Sequence, residues 1–107
     1  MRLWIGLAGL KPNPKCRGFR RFDGGKGAYV HIAAWAESRQ AFESRVQREA
    51  EEIDCILCEI DDVVLLENRL EEPDYPDEFI DMRTTATNQP EAAVFGTFHI
   101  WLNDDSN

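Results

Sequence analysis

Gly27-Ala28-Tyr29-Val30-His31-Ile32-Ala33-Ala34-Trp35-Ala36-Glu37-Ser38 opens the segment on which the fold turns, because the hydrophobic period changes inside it. From Ala28 to Ala36 the side chains alternate. Val30, Ile32 and Ala34 share one side, and Tyr29, His31, Ala33 and Trp35 share the other, which is the period of a strand. After Ser38 the period becomes helical, with Phe42, Val46, Ala50 and Ile53 forming one apolar stripe over about four turns. Ser38 stands where an N-cap belongs. Arg45 with Glu49, and Arg48 with Glu52, are spaced as i,i+4 pairs on the wet side of this helix, worth only about 0.2–0.5 kcal/mol each. The stripe is core-facing, since the opposite face is not the strongly basic one a membrane-surface helix needs.

Working outward, Leu3 to Leu10 reads as a strand of the mature protein, with no small-residue cleavage site before Lys11-Pro12. Lys11-Pro12-Asn13-Pro14 must leave the sheet because proline cannot donate to a ladder. Asp23-Gly24-Gly25-Lys26-Gly27 is a turn and not a phosphate cradle, since a strand rather than a helix follows it. Downstream, Cys55 to Ile60 is a strand, Asp61-Asp62 a bulge or bend, and Val63 to Leu66 its continuation. Pro73 and Pro76 mark a tight connection, and Asp77 caps a second helix from Glu78 to about Asn88. A last strand runs from Ala92 to Leu102, with Phe95, Thr97, His99 and Trp101 on one side and Val94, Gly96, Phe98 and Ile100 on the other.

These elements predict a single α+β domain over residues 1–107. The simplest arrangement is ferredoxin-like: a mostly antiparallel sheet of three to four strands with two helices on one face. The other face would then carry Tyr29, His31, Trp35, Phe95, His99 and Trp101. An aromatic patch of that size marks an interface. A second copy of the chain, a partner, or the chain's own leading strand and basic 11–26 segment could cover it.

Charge is segregated. The chain has 107 residues with 12 Lys+Arg and 20 Asp+Glu, a formal net charge of −8. Residues 1–26 carry seven bases against one acid, whereas residues 49–81 carry fourteen acids against Arg69 alone. A field this negative repels phosphate, which disfavours nucleic acid, and draws in a basic protein at a salt-dependent rate. Glu49, Glu52, Glu59, Asp61, Asp62, Glu67, Glu71, Glu72, Asp74 and Asp77 are the candidate contacts, with Tyr75 and Trp35 as aromatic anchors. The competing reading is that these acids only keep the fold in solution.

Other chemistries find little support. Three cysteines without a secretion signal point to reduced thiols and a cytoplasmic location. Cys55-Ile56-Leu57-Cys58 has a redox or zinc half-motif spacing, but it sits where a helix ends and a strand begins. Cys16, His31 and His99 are scattered singly, so neither a metal nor any other cofactor is expected, and the thiols read as buried packing groups. His31 and His99 could pair as general acid and base only if a carboxylate stood near them, so no catalytic residue is assigned and the chain reads as non-enzymatic. No apolar run approaches the about 18 residues that cross a bilayer.

Taken together, the strand Gly27 to Glu37, the acidic helix after it, Glu59-Ile60-Asp61-Asp62-Val63 and Val94-Phe95-Gly96-Thr97-Phe98-His99 give a chain that resembles the small acidic immunity proteins encoded beside toxins of bacterial contact-dependent inhibition and other polymorphic toxin systems. The resemblance implies stoichiometric capture of a cognate toxin domain, often a nuclease, whose basic cleft an acidic surface can plug. The basic stretch at 15–26 departs from what a pure nucleic-acid mimic needs. A self-associating, dimeric domain with a housekeeping role is the alternative.

Overall fold

A computed structural model describes residues 1–12 and 26–101. The 13–25 part of the basic segment, Cys16 and the terminal residues 102–107 lie outside the described residues. In chain order the elements are β1 (Arg2–Pro12), β2 (Gly27–Ala36), α1 (Arg39–Glu52), β3 (Cys55–Leu65), α2 (Leu66–Leu70), α3 (Glu78–Asn88), β4 (Val94–Phe95) and β5 (His99–Trp101). The fold is α+β with a five-stranded antiparallel sheet in the order β3-β1-β2-β4, β5 also pairing with β2.

β1 sits inside the sheet because its sequence is apolar on both sides. Register pairs Leu10 with Ala28, Ala8 with Val30 and Trp4 with Ala34 on one face, and Ile5 with Ala33 and Leu3 with Trp35 on the other. Each set finds its own helix. Ala8, Leu10, Val30, Ile32 and Ala34 pack with Phe42, Val46 and Ala50 of α1. Leu3, Ile5 and Ala33 pack with Leu66 of α2 and Phe79, Met82 and Ala86 of α3. The helices therefore cover opposite faces of the sheet rather than one, which corrects the layout expected from the pattern and with it the ferredoxin-like arrangement. The expected three to four strands become five, because the final strand is interrupted between Phe95 and His99.

Helix α1 starts where Ser38 places it, with the Ala41 N–H donating to Ser38 Oγ at 3.1 Å. Its Arg45 does not pair with Glu49. The guanidinium instead donates to the carbonyls of Trp35, at 3.2 Å, and Glu91, tying the helix to the end of β2 and to the turn before β4. The exposed i,i+4 pair on this helix is Arg39 with Glu43, at 3.0 Å. Helix α3 begins after Asp77, but that carboxylate makes no capping hydrogen bond, because Asp77 is itself in helical backbone conformation at φ −57° and ψ −32°. At the other end of α3 the Trp35 indole N–H donates to the Ala86 carbonyl at 2.9 Å, satisfying one of the acceptors a helix C-terminus leaves open.

β3 follows α1 through a one-residue reversal at Asp54, whose φ is 61°. Among the described residues it is an edge strand, and it carries two bulges. Asp62 and Val63 stand together opposite Gly6, and Cys58 is inserted between the pairs Leu57–Leu10 and Glu59–Gly9. The first bulge confirms the expected irregularity at Asp61-Asp62, and Asp62 takes the left-handed conformation at φ 55°. Gly6 allows it, since a Cβ there would lie 3.1 Å from Val63 and 3.2 Å from Phe42. Cys55 is buried in the α1-side core while Cys58 is exposed, so only the first is a packing thiol. No helix among the described residues is long and apolar enough to cross a membrane.

Two substitutions separate core from turn. Phe42→Ala should cost about 3–5 kcal/mol in urea unfolding, since the ring is fully buried beneath the β1–β2 hairpin. Asp54→Gly should leave stability unchanged or raise it by up to about 1 kcal/mol, because glycine adopts the left-handed turn without steric cost.

Candidate functional site

On the α2–α3 side, helix cover stops partway along the sheet. Leu3, Ile5, Ala33 and Trp35 lie beneath the helices, whereas Tyr29 is 39% exposed and His99, its cross-strand partner, is exposed as well. At the margin between covered and open sheet lies a cavity of about 330 Å³. Its floor is Ile5, Val64 and Phe79, and its polar lining is His31 from β2, Asp62 from the β3 bulge, and Arg69 and Glu72 from α2 and the turn after it.

Each polar group is held by a different element. Asp62 lines the cavity from a bulge that places an extra residue opposite Gly6. Arg69 lays its guanidinium over the Phe79 ring, 5.4 Å from the centroid, and Nη1 donates to Glu72 Oε1 at 3.3 Å. His31 meets the same ring edge-on, with centroids 4.8 Å apart. Its Nδ1 is 3.5 Å from Glu78 Oε2, an ion-pair distance too long for a formed hydrogen bond, which leaves this buried nitrogen without a hydrogen-bond partner. Glu78 spends its other oxygen elsewhere, accepting from the Thr97 backbone N–H at 2.9 Å. The approach needs Gly96, where a Cβ would come within 2.6 Å of Glu78 Oε2.

The electrostatics follow from this geometry. Burial pushes the His31 imidazolium below its ordinary range, and the attraction of Glu78 only partly offsets that. His99 and Arg69 add repulsion in the same direction as burial. Burial also opposes the charge on Glu78, but hydrogen bonds from the Thr97 side chain and backbone, together with His31, outweigh it and hold the carboxyl below the usual range. The Tyr29 hydroxyl is pushed up, first by its 3.0 Å hydrogen bond to Glu59 and then by that carboxylate's charge.

The structure divides the residues singled out from the sequence. Asp62 and Glu72 meet at the cavity, and Glu59 and Asp61 pair with Gly9 and Leu7 along the β3 edge. Glu71, Asp74 and Asp77 are exposed between α2 and α3. Glu67 lines a different cavity of about 290 Å³, facing Arg2 and Arg83 over Leu3, Trp35 and Leu65. Glu49 and Glu52 belong to α1, on the opposite face of the sheet. The two aromatic anchors are not free: Tyr75 is half-buried against the α2–α3 core, and Trp35 is half-buried and bonded to α3.

Tyr29, His31, Trp35 and His99 share one side of the sheet. Phe95 does not. It pairs with Ile32, packs against the α1-side core and stacks on Phe98, because residues 96–98 leave the ladder and break the alternation expected over 92–102. Trp101 is placed by its backbone opposite Gly27. Glu78, Thr97 and the stacking role of Arg69 were not legible in the sequence. Only the isolation of Arg69 among acids set it apart. Among the described residues no group of three or more His, Cys, Asp or Glu side chains is placed to hold a metal ion. Comparison with protein-family models, curated proteins and solved structures finds no match.

The sign of the pH response is set by His31. A histidine whose folded pKa lies below its unfolded value binds fewer protons when folded, so its contribution is complete above about pH 6.5 and is lost as pH falls below that value. Glu78, also depressed, adds a second loss at lower pH, below the ordinary carboxylate range. Urea midpoints should therefore fall on acidification from pH 7 to 5, and His31→Gln should flatten that slope. A midpoint that rises on acidification would show that attraction to Glu78 exceeds the burial cost.

Proposed function

We propose that this chain is a non-enzymatic, cytoplasmic protein-binding module of the immunity type. It neutralises a basic toxin domain, with nuclease domains the leading class, by forming a stoichiometric complex through its acidic surface. The observation that carries the reading is a distinction among the carboxylates. Glu43, Glu59, Glu72 and Glu78 have partners within the fold, and Glu78 and Asp81 suit the positive end of α3. Asp61, Asp62, Glu71, Asp74 and Asp77 are exposed on the side that carries the cavity or in the connection to α3, with no ion pair to any described residue. Glu49, Glu51 and Glu52 occupy the last turn of α1, where no base is present and where the helix dipole disfavours negative charge. Acids retained without, or against, a local structural benefit fit a surface kept for a cationic partner.

The test is a mixture of the purified protein with the toxic domain encoded by the neighbouring gene. A one-to-one complex should form at micromolar concentration, with an association rate that falls steeply between about 0.05 and 0.5 M salt. Replacing Asp61, Asp62, Glu71 and Asp74 by their amides should slow association at least about tenfold while leaving thermal stability in place. No complex, or one indifferent to both salt and the amides, removes this reading.

The second reading, self-association, draws on the exposed Tyr29–His99 pair on the open half of the sheet. It requires a dimer by light scattering that Tyr29→Glu dissociates. Trp35 cannot serve as that probe, since a charge there would break the α3 contact instead.

A further inference from the structure

We infer that the cavity between the β3 bulge, α2 and α3 is a receptor for one arginine side chain of the partner, and that Arg69 is its built-in occupant in the free protein. The inference rests on the reading of the acidic surface as a partner site and assigns the chemistry of the central contact. The cavity already displays what it binds. Arg69 is the one base among fourteen acids between residues 49 and 81, and it turns inward, with 27% of its side chain exposed, to lie on Phe79 against Glu72. An aromatic face below, a carboxylate beside and an apolar wall for the methylene stem are the features a guanidinium selects.

The remaining space, about 330 Å³, is more than one side chain fills, and Asp62 also lines it, without an ion-pair partner among the described residues. Val64, 37% exposed, supplies apolar surface for an incoming stem. Arg69 is on a five-residue helix, and besides its contact with the Phe79 ring its ion pairing among the described residues is one partly exposed i,i+3 pair. Such a pair is weak and easily exchanged. An arriving arginine would take the Phe79 face and Glu72, gain Asp62 as well, and release Arg69 to solvent. The swap replaces one monodentate contact by two carboxylates, while Arg69 keeps the apolar floor from lying open beforehand.

The probe is N-acetyl-arginine amide titrated into isotopically labelled protein and followed by NMR at the His31 and Phe79 rings. Saturable shifts with a Kd on the order of 1–10 mM are expected, and none with the neutral N-acetyl-norleucine amide. Arg69→Gln should tighten binding at least about threefold by vacating the seat, whereas Asp62→Asn and Glu72→Gln should each weaken it by about threefold. Asparagine tolerates the left-handed backbone at position 62, so that variant tests the charge without disturbing the bulge. Absence of saturable shifts, equal shifts from norleucine amide, or weaker binding in Arg69→Gln overturns the inference. A toxin complex that forms and is unaffected by Asp62→Asn and Glu72→Gln defeats the arginine seat alone. A probe that binds as expected without any toxin complex defeats the functional reading alone.

Discussion

Everything in this molecule depends on a central strand that has no polar side. Gly6 aside, β1 carries Trp4, Ala8 and Leu10 toward α1 and Leu3 and Ile5 toward α2 and α3, and both sets must leave water. Burying a side chain of this size is worth about 1.5–3 kcal/mol, so leaving either face bare would forfeit much of the net stability of a small domain. The hairpin with β2 and the edge pairing with β3 supply the backbone partners. The helices then have to divide between the faces. That division leaves part of the α2–α3 side open, and both the cavity and the exposed Tyr29–His99 pair are consequences of it.

On the β3 edge the residues of the proposed partner surface also have a task in the fold. An edge strand of this length invites another strand to add to it, and bulges and charge are the usual defences. Glu59, Asp61 and Asp62 serve that purpose whatever else they do. Asp62, at the bulge, also lines the cavity. Protection of an edge and preparation of an acidic surface are compatible physical ends, which is why charge on this strand is not by itself a sign of a partner. The acids at the end of α1 differ from these, since they work against the helix that holds them.

His31, Glu78 and Thr97 make a small clamp across three elements. Glu78, in the first turn of α3, pins the segment between β4 and β5 through the Thr97 amide while standing beside a half-buried imidazole. The clamp holds α3 to the short terminal strands, which pair with β2 over only two and three residues. The Phe79 ring in the cavity floor meets both His31 and Arg69.

The pattern of the chain alone settled those features that rest on neighbouring residues. The alternation over 28–36, the Ser38 cap, the Phe42-Val46-Ala50 stripe, the bulge at Asp61-Asp62 and the separation of charge are all properties of contiguous sequence. Packing decided the rest. The pattern of β2 presents two usable faces and does not say which helix takes which, so the placement of α3 opposite α1 emerged only when β1 was sandwiched between two cores. The five-residue helix at Leu66, the break after Phe95, the diversion of Arg45 to backbone carbonyls and the meeting of His31 with Glu78 join residues between 10 and 47 positions apart or answer to such contacts. No periodicity encodes them, because their energies depend on three-dimensional neighbours and not on the order of residues along the chain.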